Sequence, residues 1–164
     1  MEISSVTFFP RHTRITVRFR HHLYSSHLPN LARHLLAMLP SLREHFCENR
    51  HGLAFEEELN HTELGHVFEH VVLAILAMRG VETRGQTTWN WQRDPIGMYH
   101  VTINTGKKLI VKEGLLVAQA IMTNALWGPL LQVRIPDRLA TARKELPVYR
   151  EVSNRQRGLL FAAT

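Results

Sequence analysis

The chain contains little of several features that mark other classes of protein. Its 164 residues include a single cysteine, Cys47, which excludes an internal disulfide and favours a reducing, cytoplasmic setting. Seven prolines and nine glycines, beside 45% hydrophobic residues, exclude a collagen-like or low-complexity chain. No stretch has the 18 or more consecutive apolar residues of a transmembrane helix, and the first residues do not resemble a signal peptide. The sequence therefore predicts one cytoplasmic, globular domain that spans no membrane.

The chain has a positive net charge, but its basic residues are not concentrated in one segment. A formal net charge of +6 would suit an acidic partner or nucleic acid. The basic residues nevertheless fall in separate clusters, such as 11–22 and 138–144, and aromatic residues do not interleave with them as a platform for stacked bases requires. We therefore interpret the charge as a solvated surface, and nucleic-acid binding is the second alternative function.

The stretch 60–80, NHTELGHVFEHVVLAILAMRG, predicts a buried central helix because few of its positions are polar. Asn60 is a good N-cap, and Glu63 three residues later completes the pattern of a capping box. Gly80 is the predicted end of the helix. Polar residues inside such a helix are costly to bury unless they have partners.

Three polar residues fall together in this helix. At 3.6 residues per turn, His66 and His70 lie one above the other on the same face, within reach of one ion. Glu69 projects beside them, next to a water on that ion. This is the H-x-x-E-H order of the inverted zincins. The pattern predicts a Zn²⁺ site with His66 and His70 as ligands and Glu69 as general base.

A catalytic zinc site needs a third protein ligand, and Glu113 is the best candidate. It opens an apolar helix that must pack on something, and a carboxylate is usual beside two histidines. Alternatively, Glu113 only stabilises the N-terminus of its own helix. The weaker candidates are Glu82, His100 and Glu145.

Two residues near the motif have two interpretations each. His61 and Glu63 could orient the imidazoles of the ligands from outside. They are equally plausible as capping residues. Cys47 is predicted to be a buried thiol rather than a ligand, because no motif surrounds it.

The remaining chain predicts an α+β fold, an antiparallel sheet with helices packed on one face and HxxEH on the central helix. The expected order is β-β-α-α-β-β-α, and a substrate strand could add to an edge formed by residues 98–104. Residues 1–130 would form a single metallohydrolase-like domain. Residues 131–164 would be a C-terminal extension of that domain, with one short amphipathic helix. The predicted strands are 2–9, 13–19, 83–91 and 98–104, and the predicted helices are 28–47 with a break at Pro40, 60–80 and 109–127.

Several stretches of this sequence together resemble the N-terminal domain of cyanophycin synthetases. That domain has a similar Leu-Pro…Glu-His-x-Cys stretch, a His-Val-x-Glu-His-Val-Ala-Leu helix, a Gly-Arg-Thr turn and a Tyr-Asn-Val-Val strand. The resemblance extends from about residue 28 to 126. Its counterparts here are residues 39–47, 52–53, 66–73, 85–87 and 99–102.

The resemblance implies a zinc-dependent hydrolase that cuts cyanophycin, a polyaspartate with arginine attached through isopeptide bonds, into shorter primers. His66 and His70 would be metal ligands and Glu69 the base. Gln86 replaces the arginine of the family's turn, and both Gln86 and Tyr99 are expected to contact substrate or support the ligands. The chain has no counterpart of the ATP-grasp and Mur-ligase-like domains, so it is not expected to synthesise the polymer.

The sequence therefore predicts a zinc hydrolase of amide bonds in a peptide or isopeptide polymer. The first alternative is a non-catalytic binding module that holds a structural metal or none. Metal content distinguishes these functions only partly, because a structural site would also bind zinc.

Overall fold

The structure is a computed structural model that describes residues 1–20, 23–45, 47, 53–127 and the backbone of 149–151. Its strands are β1 (Glu2–Phe8), β2 (Thr13–Arg18), β3 (Gly85–Thr88), β4 (Met98–Ile103) and β5 (Tyr149–Glu151). Its helices are α1 (Leu31–Met38), α2 (Phe55–Glu58), α3 (Leu64–Met78) and α4 (Lys108–Trp127), with short 3₁₀ segments at Ser25–His27 and Pro40–Glu44.

The strands form one sheet in the order β3-β4-β2-β1-β5. The first four strands pair antiparallel, which confirms the predicted α+β fold. β5 adds a parallel pairing to β1 that the sequence did not predict. The predicted edge at 98–104 is wrong, because β4 is paired on both sides and β3 forms the edge instead.

One face of the sheet is covered by the helices. Along β2 and β4, buried residues alternate with partly exposed ones, as expected for a sheet with one packed face. Ile15 and Val101 are fully buried on the packed face, whereas Thr16 and His100 lie on the other. Within residues 131–164, only 149–151 is described, and it forms a short strand, whereas the sequence predicted one short amphipathic helix and a loosely held end for residues 134–152.

The central helix α3 begins later than predicted. Glu63, not Asn60, is the N-cap, and no side chain forms a capping hydrogen bond. The segment before the helix is instead held extended: Ser25 N–H donates to the Thr62 carbonyl at 2.8 Å, and Leu64 N–H donates to the Leu23 carbonyl at 2.8 Å. Since this pairing fixes residues 62–63 in extended conformation, the first helical turn forms after it.

The end of α3 agrees with the prediction. Gly80 has a φ of +70°, the left-handed conformation that glycine adopts at low cost. Its N–H donates to the Ala77 carbonyl and the Val81 N–H donates to the Leu76 carbonyl, both at 2.9 Å. These two bonds form a Schellman motif that satisfies the last carbonyl groups of the helix.

Helix α3 packs against both the sheet and helix α4. Its buried residues pack against β3 and β4 on one side and against α4 on the other. The close approach of α4 uses Gly114, where a Cβ would lie 3.1 Å from Leu76 Cδ2. By length and composition alone α4 could cross a membrane, but a packed core helix passes the same test. The fold thus encloses α3 on two sides and leaves its polar face beside the edge strand β3.

Candidate metal centre

The two histidines of the motif meet as the helical spacing predicts. Nε2 of His66 lies 3.1 Å from Nε2 of His70. Both residues belong to α3, one turn apart, and the ring of His70 is buried. Two imidazole nitrogens therefore converge on one point at the surface of the helix.

Cys47 is the third residue at this point. Its Sγ lies 3.3 Å from Nε2 of His70 and 3.7 Å from Nε2 of His66. The backbone brings it there, since Phe55 N–H donates to the His45 carbonyl at 2.9 Å and Cys47 N–H donates to the Leu53 carbonyl at 3.4 Å. Cys47, His66 and His70 together form a group that could hold a metal ion, which we call the metal-binding group.

The spacing of the three donor atoms fits a tetrahedral metal ion. With Zn–N distances of 2.0–2.1 Å and a Zn–S distance of 2.3 Å, ideal angles place two nitrogens about 3.3 Å apart and a nitrogen and sulfur about 3.6 Å apart. The corresponding distances between Cys47, His66 and His70 are 3.1, 3.3 and 3.7 Å. Two imidazoles and a thiolate suit Zn²⁺ and leave a fourth position open.

Neighbouring groups hold the two imidazole rings in this orientation. Thr62 Oγ1 lies 2.9 Å from Nδ1 of His66, and Nδ1 of His45 lies 3.3 Å from Nδ1 of His70. The ring of Phe55 stacks on His70 with 3.8 Å between centroids and 12° between planes. Contacts to the outer nitrogens turn each Nε2 towards the shared point.

Glu69 lies beside the metal-binding group and is nearly inaccessible, with 5% of its surface exposed. Thr87 Oγ1 donates a hydrogen bond of 2.5 Å to its Oε2. Strand β3 approaches so closely that a Cβ on Gly85 would lie 2.7 Å from Glu69 Oε1. Burial raises the pKa of Glu69 to about 7, against the lowering effect of the bond from Thr87. A carboxyl group with such a pKa can both accept and return a proton near neutral pH.

The same burial sets the protonation of the metal-free ligands. Burial, followed by the neighbouring His66 and His45, lowers the pKa of His70 to about 3. Burial also lowers the pKa of His66, against the effect of Glu58. Burial and then the Glu58 carboxylate raise the pKa of the Cys47 thiol. Two neutral imidazoles thus face a protonated thiol, whose proton a metal ion must displace.

An elongated cavity of about 480 Å³, which we call the groove, opens over the metal-binding group. It lies between the polar face of α3 and the segment 82–89 that includes the edge strand β3. From Glu63 to Ala77 its helical wall is about 20 Å long, at 1.5 Å per residue. The metal-binding group lies along this groove, together with His45 and Glu69.

The structure does not bring Glu113 to the site. Its carboxylate forms an exposed ion pair with Arg79 at 3.5 Å. Arg79 follows the far end of α3, about 13 Å along the helix axis from His70. Glu113 therefore lies away from the predicted site, because α4 contacts α3 near the C-terminus of α3. The third residue of the group that could hold a metal ion is Cys47.

The residues predicted around the metal have different positions. Glu63 and Gln86 line the groove, as does the weaker ligand candidate Glu82. His61 is exposed, and its neighbour Thr62 contacts the ligand instead. Tyr99 is a core residue with no exposed surface, and its predicted role, a contact with substrate or support of the ligands, stays a prediction.

Two other candidate ligands do not join the group. His100 lies on the open face of the sheet, where its Nε2 is 3.1 Å from Asp94 Oδ2. Glu145 lies outside the described residues. The sequence did not place His45 and Cys47 at this site, because both lie far before α3 in the chain and reach it only through the fold, although the Glu-His-x-Cys pattern of the resemblance contains them.

Comparison with protein families agrees with this architecture. The family model of the cyanophycin synthase-like N-terminal domain matches residues 14–126. The chain belongs to this family. The match covers β2 to α4 and includes every residue of the metal-binding group of this cyanophycin synthase-like domain. The family is related to cyanophycin synthesis. Among curated proteins, none matches the chain.

Proposed function

We propose that this cyanophycin synthase-like domain is a zinc-dependent hydrolase of amide bonds in a peptide or isopeptide polymer. The observation that carries the proposal is the buried carboxyl of Glu69 beside an open group of three metal donors. Zn²⁺ held by Cys47, His66 and His70 would act as a Lewis acid on the carbonyl and lower the pKa of water.

In this mechanism Glu69 carries the proton. Its carboxylate takes a proton from the attacking water and returns it to the leaving nitrogen as the C–N bond breaks. A pKa of about 7 suits both steps, because neither protonation state of Glu69 is then strongly disfavoured. Thr87 holds Oε2 by its hydrogen bond and so leaves Oε1 for the water.

The groove suggests an extended substrate. A wall of about 20 Å accommodates roughly six residues of extended chain at 3.3 Å each. The edge strand β3 forms the opposite wall, and a sheet edge can pair with an extended chain through backbone hydrogen bonds. A polymer backbone fits this space better than a small compact molecule.

One end of the groove suits a basic side chain. Glu63 lines it, and none of the described residues forms a hydrogen bond or ion pair with its carboxylate. Trp89 also lines the groove, with 41% of its surface exposed, and it follows Thr87, whose Oγ1 donates to the carbonyl of Gly65 in the first turn of α3 at 3.4 Å. A carboxylate and an indole face together bind a guanidinium or ammonium group. An arginine-bearing isopeptide polymer related to cyanophycin is therefore the proposed substrate.

Turnover tests this function directly. The purified protein, loaded with zinc, is incubated with β-aspartyl-arginine oligomers and the products are identified by mass spectrometry. We expect shorter oligomers, and none after the metal is removed with a chelator. Zinc bound without any cleavage of these oligomers or of ordinary peptides would support a non-catalytic binding module instead.

A further inference from the structure

The outer edge of β3 presents backbone groups in a fixed pattern. In the part of the sheet that the structure describes, β3 is the last strand on its side and pairs only with β4. Asn104 N–H donates to the Arg84 carbonyl at 2.9 Å, so the backbone groups of Arg84 face β4. Successive residues of a strand direct these groups to opposite edges. Those of Gln86 therefore also face β4, whereas the N–H and C=O groups of Gly85 and Thr87 face outward.

The outward groups of Gly85 and Thr87 are open to the groove. Both residues line it, and none of the described residues forms a hydrogen bond with their N–H or C=O groups. The sequence of β3, GQTT, contains no lysine or proline of the kind that protects a sheet edge from pairing. At about 3.3 Å per residue, the two sets of groups lie roughly 6.6 Å apart, the repeat of one further strand.

Gly85 also sets how closely this edge approaches the carboxyl group of Glu69. A Cβ on Gly85 would lie 2.7 Å from Glu69 Oε1 and 2.9 Å from its Cγ. Glu69 is buried and held by the hydrogen bond from Thr87, so its side chain has little room to move aside. Any side chain at position 85 must therefore push β3 away from α3. A chain paired with Gly85 consequently lies beside the carboxyl group of Glu69.

We propose that the substrate adds to β3 as a further strand in one register, set by the backbone of Gly85 and Thr87. Gly85 pairs with the residue next to the scissile amide, and Thr87 pairs two residues further along the chain, in the direction of Trp89. This register rests on the proposed function, since it takes the metal-binding group as the place of cleavage. The pairing makes Gly85 a positioning residue, because its missing side chain lets the bound strand reach Glu69.

A scan of N-methylated oligomers tests the pairing from the side of the substrate. The probes are acetylated β-aspartyl-arginine tetramers that end in a hydroxamate, whose oxygens bind the metal and thereby fix the register. Each backbone amide is methylated in turn, which removes its N–H and adds bulk on that side. Binding to the zinc-loaded protein is measured by calorimetry and requires no turnover.

The effect of methylation should alternate along the tetramer. Methylation of every second amide, whose N–H faces β3, should weaken binding by about tenfold or more. Methylation of the amides between them should change binding by less than about threefold, because their N–H groups face away. Equal losses at all amides, or no binding by the unmethylated tetramer, would overturn the pairing.

Gly85→Ala tests the pairing from the side of the protein. Acetohydroxamate needs only the metal, whereas the tetramer needs the metal and the edge of β3 together. We expect Gly85→Ala to keep its zinc and its affinity for acetohydroxamate within about threefold, but to bind the tetramer about tenfold more weakly. Gly114→Ala is the matched control, since α4 contributes no residue to the groove, and it should bind both ligands as the wild type does.

Two results with Gly85→Ala would overturn the role of Gly85: unchanged binding of the tetramer, or equal loss of both ligands. Circular dichroism checks that the variant is folded, and the methylation scan on the wild type tests the pairing independently of it. If the alternation appears while no oligomer is cleaved, the proposed hydrolysis fails and the strand pairing stands.

Discussion

Sγ of Cys47 lies 3.3 Å from Nε2 of His70, although 23 positions separate the two residues in the chain. The contact completes a triangle of donor atoms with His66, whose sides match those of a tetrahedral zinc site. A thiolate in this triangle would add a negative charge, and two imidazoles alone would leave the charge of the metal uncompensated.

The first prediction concerns which residues hold the metal. Cys47→Ala and His66→Ala should each weaken zinc binding by about 100-fold or more, because each removes one of the three donors that the described residues bring together. Zinc content is measured by atomic emission after dialysis against a weak chelator. The cobalt-substituted wild type should show thiolate-to-metal charge-transfer absorption, and Cys47→Ala should lack it.

Glu113→Ala is the matched control for these variants. It removes a carboxylate whose partner is Arg79 and should leave the zinc content unchanged. Zinc lost from Glu113→Ala but retained by Cys47→Ala would contradict the assignment.

The sequence was sufficient where the signal is local. The alternation in β2 and β4 indicated which side chains face the core, and the spacing of His66 and His70 fixed their common face on α3. The end of α3 at Gly80 was predictable because a glycine that ends a helix in the left-handed conformation is a local signal.

Other features depend on contacts between distant parts of the chain. The start of α3 is set by pairing with residues 23–25, so the local capping pattern at Asn60 was misleading. Cys47 reaches the site through the backbone hydrogen bonds that join His45 to Phe55 and Cys47 to Leu53. The sequence could predict that α4 packs against another helix, but it could not predict where along α3 the contact occurs. Glu113 therefore lies near the C-terminus of α3, away from His66 and His70.

The second prediction is that zinc binding releases protons. At about pH 8 the imidazoles of the metal-free site are already neutral, while the raised pKa of Cys47 keeps its thiol protonated. Because the metal binds the thiolate, at least about one proton should leave for each zinc bound. Calorimetric titrations in buffers with different ionisation enthalpies measure this number.

The sign of the pH dependence follows from that release. Apparent zinc affinity should rise with pH, by about tenfold per pH unit for one proton. Cys47→Asp, whose carboxylate is already ionised near pH 8, should release about one proton fewer. No difference between the two proteins would show that Cys47 is not the source.

The third prediction isolates the base. Glu69→Gln should retain its zinc and its fold, but its rate of hydrolysis should fall by about 100-fold or more, since the amide cannot accept the proton. Initial rates on β-aspartyl-arginine oligomers, with zinc content measured in parallel, make the comparison. Rates within about tenfold of wild type would exclude Glu69 as the base.

The fourth prediction concerns how α3 rests on the sheet. A Cβ at Gly65 would overlap the ring of Tyr99, which has no exposed surface and cannot move aside. Gly65→Ala should therefore lower the free energy of unfolding by about 3 kcal/mol, at the upper end for overpacked cores. Urea denaturation measures the change.

Gly114→Ala provides the comparison within the same core. The one close contact of its Cβ would be a methyl of Leu76 at 3.1 Å, the end of a side chain that can adjust, and the other neighbours lie at 3.8 Å, an ordinary van der Waals distance. The helical preference of alanine also offsets the contact, so the change should stay within about 1 kcal/mol. Equal changes in the free energy of unfolding for the two substitutions would argue against close packing of Gly65 in α3 on the ring of Tyr99.

The last prediction tests the charge of the substrate. Two oligomers that differ only in arginine against citrulline have nearly the same shape, but only arginine carries a positive charge. Glu63 offers a carboxylate without a described ion-pair partner, and Trp89 is held by ring contacts of 6.1 Å with Trp91 and 6.0 Å with Tyr99. A charge-assisted hydrogen bond and a cation–π contact together should favour arginine by about tenfold or more in KM.

Glu63→Gln keeps the shape of the groove wall and removes its charge. In this variant, the preference for arginine should fall to about threefold, the part left to a cation–π contact with Trp89. Glu113→Gln removes an equal charge outside the groove, so it should keep the full preference and thereby exclude an effect of net charge alone. A preference that is unchanged in Glu63→Gln would place the cationic side chain elsewhere, because a contact with Glu63 must weaken when its charge is lost.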